Sequence, residues 1–167
     1  MFETARSILK RDPAASSLAA VLLTYPGVHA LFWYRIAHYL ALKKHPLLAA
    51  KISNRCAKKT GISIAPLAKI GNRVFIDHGV GVVIGETAII EDDVTILHGV
   101  TLGTRHSEDS GQRHPHVKKG AYLGSNAQVL GAITIGRDSK IGAGSVVLKD
   151  VPDQATAVGN PARIIEK

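Results

Sequence analysis

The 167-residue sequence predicts an α+β chain in two regions. A helical N-terminal region spans residues 1–61, and a left-handed parallel β-helix of hexapeptide repeats spans residues 62–153, followed by a tail over 154–167. Three observations lead there. Apolar residues recur at helical spacing as far as about residue 60, and every six residues from Ile64 onward. The composition is 46% hydrophobic but only 5% aromatic, with 16 glycines, which suits many small Val/Ile/Ala/Gly units better than one aromatic-centred core. A single polar stretch, GTRHSEDSGQRHPH over 103–116, interrupts the repeat as an extruded loop does.

In the first region, Arg11-Asp12-Pro13 has the form of a helix start, with Asp12 as cap and Pro13 in the first turn. Leu18, Val21, Leu22 and Tyr25 fall at i, i+3, i+4 and i+7, one buried helix face. Pro26-Gly27 breaks that run, and a second helix follows over about 28–43 with Leu31, Tyr34, Tyr39 and Leu42 among its apolar residues. Pro46 opens a third that reaches about Lys59, with Gly61 as its stop. These helices cap one end of the repeat array, which needs such a cover.

In the second region Ile64, Ile70 and Ile76 lead three hexads. Ile84, Ile90, Ile96 and Leu102 continue after a two-residue slip placed at Val82-Val83, and Val117, Leu123, Val129, Ile135, Ile141 and Val147 resume after the loop. Four residues after eleven of the leaders from Ile64 to Ile141 stands a small or β-branched residue, Val80 among them. Such leaders stack inward in ladders, three short strands to a coil, and flat prism faces lend themselves to a trimer with sites between subunits. The tail leaves the pattern and is expected to run back along the outside.

The formal charge of +8 favours an anionic partner. Nucleic acid is disfavoured, because the aromatic residues cluster mostly in 25–39 and are not interleaved with a basic face. The apolar stretch 18–34 is broken by Pro26-Gly27 and followed by Arg35 and His38, so no membrane span is expected. Cys56 is the only cysteine, which rules out an internal disulfide and suits a reducing, cytoplasmic setting.

Regular hexads are structural, so chemistry is sought where they fail. The slip follows Asp77-His78, and one coil plus the slip lands on His98, so these two imidazoles should stack. The loop carries His106, Glu108, Asp109, Arg113, His114 and His116. Arg113 can hold a carboxylate through its planar fork, and His114 can bond hydrogen or move a proton. His78, His98, His114 and His116 lack the paired spacing of metal-binding prisms, so no metal is expected.

FIDHGVGVVIGETA at 75–88, GQRHP in the loop, IGAGSVVLKDVP and AVGNPARII are familiar in combination. With RDPA at 11–14 and YPGVHAL and YRIAHYL in the helices, they resemble the serine O-acetyltransferase family over about 150 residues. The resemblance implies acetyl transfer from acetyl-CoA to the hydroxyl of L-serine, for cysteine synthesis. It implies His78 as general base, with Asp77 and Asp12 holding the serine amino group and Arg113 and His114 meeting its carboxylate and hydroxyl. By position, Gly103, Ser125, Lys140 and Ala143 are assigned to acetyl-CoA. A homotrimer or a dimer of trimers is implied, the plain trimer as readily as the hexamer, because the longer N-terminal segment of larger members does not precede these helices. A neighbouring acceptor, homoserine or a sugar, and a weakened CoA-binding scaffold are the alternatives.

Three departures stand out. Where the family carries Asp or Glu to orient the catalytic imidazole, this chain has Ser63, so Glu86, Asp92, Asp93 or a backbone carbonyl would have to substitute. The family's Gly-Gly-Thr is here Gly103-Thr104-Arg105. The family often docks a C-terminal Ile into O-acetylserine sulfhydrylase; this chain reads Ile164-Ile165-Glu166-Lys167, which weighs against that partner.

Overall fold

A computed structural model describes residues 1–106 and 111–165. Glu108 and Asp109 of the loop, and Glu166 and Lys167, on which the reading of C-terminal docking turns, lie outside the described residues. The helices are α1 (Phe2–Arg11), α2 (Leu18–Thr24), α3 (Pro26–Leu42) and α4 (Pro46–Thr60). Gly61 closes α4 in the left-handed conformation, φ 72°, as a glycine cap does.

The prism has three parallel faces. The first is made of β1 (Ser63–Ile64), β4 (Val83–Ile84), β7 (Thr101–Gly103), β10 (Gln128–Leu130) and β13 (Val146–Val147). The second is β2 (Lys69–Ile70), β5 (Ile89–Ile90), β8 (His116–Val117) and β11 (Thr134–Ile135). The third is β3 (Phe75–Ile76), β6 (Thr95–Ile96), β9 (Tyr122–Leu123), β12 (Lys140–Ile141) and β14 (Thr156–Gly159), to whose edge β15 (Ala162–Ile165) adds antiparallel. Every hexad leader from Ile64 to Val147 is buried in one continuous core. Each such aliphatic side chain contributes roughly 1.5–3 kcal/mol when taken from water.

The structure corrects four details. Val80 is exposed, and Val82, fully buried, takes the place that precedes Ile84 as Ala68 precedes Ile70. The slip therefore lies in the turn His78–Gly81, ahead of Val82-Val83, which already belong to the resumed register. Asp12 does not start a helix: it is the C-cap of α1, its N–H donating to the Ile8 carbonyl at 2.8 Å. Pro26 is itself the first turn of α3, and at Gly27 a side chain would collide with the Ile76 carbonyl, so the glycine seats α3 directly on β3. The tail first extends the prism, with Thr156 and Ala157 of β14 parallel to β12, and turns back only at β15.

A second cluster, Ala5, Ile8, Val21 and Val28, gathers the first three helices around Phe75. Leu18, Leu22 and Tyr25 pack against it, so the expected helix face does point inward. Phe75 stands two residues before Asp77, and this packing ties the helical region to the place where the repeat slips.

Candidate active site

Ser63 pairs with Val83 and Val83 with Thr101, so the first coil takes 20 residues and the next 18. The extra residues sit in the corner between the third and first faces. In the other coils this corner has one left-handed residue, Gly99, Asn126 or Gly144; the widened corner has three, His78, Gly79 and Gly81, at φ 56°, 77° and 78°. Gly79 N–H donates to the Asp77 carbonyl at 2.6 Å, which closes a three-residue γ-turn on His78. A γ-turn with positive φ at its centre is the rare, strained form, and for a residue with a side chain such strain is of order 1–3 kcal/mol. Its effect is to swing the imidazole outward: the His78 side chain is 78% exposed. The expected stacking is present, with the rings of His78 and His98 edge to face at 6.3 Å.

Asp77, the neighbour of His78 in the chain, places its Oδ1 3.9 Å from His78 Nε2. The substitutes considered for the missing acid are engaged elsewhere. Arg73 binds Asp93 at 2.6 Å and Asp92 at 3.0 Å, and Glu86 lies 3.5 Å from Arg113. Ser63 itself stands exposed on the first face beside Val83.

The N-terminal helices bring a second acid to this corner. Arg11 reaches into the prism, donating to the Asp93 carbonyl at 3.0 Å, to Thr95 Oγ1 at 3.2 Å and to the Arg73 carbonyl, while it lies over the Phe75 ring at 5.5 Å. With Arg11 so anchored, Asp12 is fixed. Its Oδ1 accepts the Ala14 N–H at 2.8 Å and its Oδ2 accepts the Tyr25 hydroxyl at 2.6 Å. The Tyr25 hydroxyl is pushed up to about 12, first by that bond, then by burial and by the negative charges of Asp12 and Asp77. Tyr25 thus lies within electrostatic reach of both acids. Asp12, at the negative end of α1, and Asp77 are both half-buried acids that act on this one hydroxyl, and a pair of like charges so placed favours a cation. Sequence reasoning placed Tyr25 only on a helix face; the hydroxyl on that face was the signal available.

Arg113 and His114 sit at a different corner, between the first and second faces. There Thr87 organises the returning loop. Thr87 Oγ1 accepts the N–H groups of Arg113 at 3.0 Å and His114 at 3.1 Å. Its hydroxyl hydrogen is left to donate to His114 Nδ1 at 2.8 Å, and the Thr87 N–H donates to the same nitrogen at 3.2 Å. Gln112 Nε2 bridges the carbonyls of Thr87 and His114, and His116 closes the loop onto Glu91 at 2.8 Å. An Nδ1 that accepts carries no proton, so His114 is neutral with its hydrogen on Nε2. Burial, then the charge of Arg113, lowers its pKa, which agrees with the neutral form. The imidazole edge lies against Gly85, where any side chain would collide with Cδ2 and Nε2. Thr87 was not singled out from sequence, though it lies in the quoted GETA.

Within one chain the two groups of residues stand at opposite ends of the first face, roughly 15 Å apart for a strand and its turns at about 3.3 Å per residue. The residues assigned to acetyl-CoA divide likewise. The register of the third face continues His78 through His98 and Ser125 to Ala143, one column along the first corner. Gly103 ends β7 at the second corner, in line with Gly85, and Lys140 points outward from the third face.

A model of bacterial transferase hexapeptide (six repeats) matches residues 114–149. Serine acetyltransferase of Bacillus subtilis is 53% identical over 159 residues, covering 95% of this chain and 73% of that protein. A structure of soybean serine acetyltransferase complexed with serine matches with a TM-score of 0.94 at 45% identity, covering 98% of this chain and 67% of that one. A serine acetyltransferase of Brucella abortus in complex with coenzyme A matches with a TM-score of 0.95 at 43% identity, covering 97% of this chain and 64% of that one. With the left-handed β-helix, its helical cap and both corners in place, the chain belongs to the serine acetyltransferase family.

Proposed function

We propose that the chain transfers acetyl from acetyl-CoA to the hydroxyl of L-serine, with His78 as general base. The single observation that carries this is the widened corner. It presents an exposed imidazole beside Asp77 at the head of the column through Ser125 and Ala143. His78 takes the proton of serine Oγ as that oxygen attacks the thioester carbonyl. The tetrahedral adduct then expels the CoA thiolate, to which protonated His78 returns the proton. A placed base supplies roughly 10²–10⁴ in rate, because the hydroxyl is hardly ionised at neutral pH.

In this reading the carboxylates of Asp12 and Asp77 hold the substrate ammonium and Arg113 takes its carboxylate. His114 donates its Nε2–H to a substrate oxygen. Coenzyme A runs along the column, with Ser125, Ala143, Gly103 and the cation of Lys140 around it. A homotrimer completes the site, since Arg113 and His114 stand one face away from His78 and a neighbouring prism brings corner to corner; two trimers can then pair. A buried lone cysteine agrees with a cytoplasmic enzyme of cysteine biosynthesis.

The test is CoA-thiol release from acetyl-CoA with L-serine, L-homoserine and a hexose as acceptors. L-serine is expected to give the highest kcat/KM. Turnover on another alcohol alone would move the acceptor assignment, and none on any acceptor would leave a CoA-binding scaffold.

A further inference from the structure

We infer that Tyr25 is a positioning residue that sets the acceptor specificity of this site, by clamping Asp12 for an ammonium group. The inference rests on the serine-acetylating reading above. Asp12 caps the C-terminus of a helix, and a carboxylate there is repelled by the helix dipole and free to rotate away. Two bonds prevent this, one on each oxygen: the Ala14 N–H on Oδ1 and the Tyr25 hydroxyl on Oδ2. The first is made within the turn. The second, at 2.6 Å, comes from the residue between α2 and α3, and ties Asp12 to the helices that pack on β3.

Tyr25 is itself held. Its ring lies 6.5 Å from that of Phe75, tilted by 37°, and Gly27 seats the start of α3 against Ile76. Contacts thus run from Asp12 through Tyr25 to Phe75, which stands two residues before Asp77 in the chain. Each oxygen of Asp12 keeps a second acceptor site, so the clamped carboxylate still receives two N–H donors. The Tyr25 hydroxyl hydrogen is given to Asp12 Oδ2, so in this inference its contribution falls on recognition of the amino group.

The experiment compares the full chain with Tyr25→Phe, which keeps the ring and removes only the hydroxyl. A hydrogen bond to a charged group is strong enough that KM for L-serine should rise about tenfold or more. The values of kcat and of KM for acetyl-CoA should stay close to those of the wild type. 3-Hydroxypropanoate, which is serine without its amino group, serves as a competitive inhibitor whose Ki should not change. In an Asp12→Asn background the same substitution should add little, because the bond's recipient is altered. An unchanged KM for L-serine, a parallel rise in KM and Ki, or a loss confined to kcat would each overturn the inference. Failure of the wild type to acetylate L-serine would instead sink the reading beneath it, and the two failures are told apart by the first measurement.

Discussion

Thr87→Val keeps the shape of the side chain and deletes one hydroxyl. Three hydrogen bonds depend on that hydroxyl: the N–H groups of Arg113 and His114 lose their acceptor, and His114 Nδ1 loses its nearer donor. A net hydrogen bond is worth about 0.5–1.5 kcal/mol, and the half-buried corner lets water replace part of what is lost, so the loop should be unseated by about 1–3 kcal/mol. The hexad core is untouched, so the cost falls on the loop's own closing equilibrium and not on global unfolding. If catalysis needs the seated loop, kcat/KM for L-serine should fall by roughly 10–100-fold, since each 1.4 kcal/mol is a factor of ten. Thiol release under limiting L-serine measures it, with the melting temperature as control. Thr87→Ser, which restores the hydroxyl, should recover most of the loss. An unchanged kcat/KM in Thr87→Val, or a Ser variant no better than Val, would refute the role given to Thr87.

Other consequences follow from the same contacts. Gly85→Ala is acceptable to a backbone of ordinary φ but places a methyl group on the His114 imidazole, so kcat/KM should fall to about the Thr87→Val level, by 10–100-fold. His114, with its pKa lowered by burial, binds its proton more weakly folded than unfolded. Its contribution to stability is therefore full above the ordinary value of about 6.5 and is lost as pH falls through that value toward the folded pKa. Denaturant unfolding between about pH 8 and pH 5 should show this decline, and His114→Gln should flatten it. Ser63→Asp supplies the orienting acid that the family resemblance implies for the imidazole, and kcat should rise tenfold or more, inside the roughly 10⁴ an orienting carboxylate supplies. No rise would mean that the Asp77–His78 corner holds its imidazole without that acid.

Much of the fold was legible because inward-facing aliphatics obey a fixed period, and all thirteen leaders from Ile64 to Val147 are buried. The slip was legible as a slip but not in its place. Val80 and Val82 both offer a valine near the required spacing, and the choice is made by the left-handed backbone at His78, Gly79 and Gly81. Pattern does not encode that turn. Asp12-Pro13 carries a helix-start signal, yet the periodic run before it, with Ala5 and Ile8 buried, makes Asp12 an end. Tyr25 and Thr87 escaped for one reason: each acts through hydrogen bonds to residues distant in sequence, and neither spacing nor composition reports such partners. The division of the site between two corners was legible only as a surmise about neighbouring subunits. The register of the faces places His78 and Arg113-His114 at different corners of one chain, which is what the proposed trimer is asked to bridge.

The most direct measurement is the turnover of His78→Ala with acetyl-CoA and saturating L-serine, beside the wild type. His78 is exposed and its backbone turn is held by Gly79 and Gly81, so the truncation should leave the prism intact. With His78 as general base, kcat drops by roughly 10²–10⁴ while KM for acetyl-CoA changes little. A variant as fast as the wild type would show that the strained corner does not house the base.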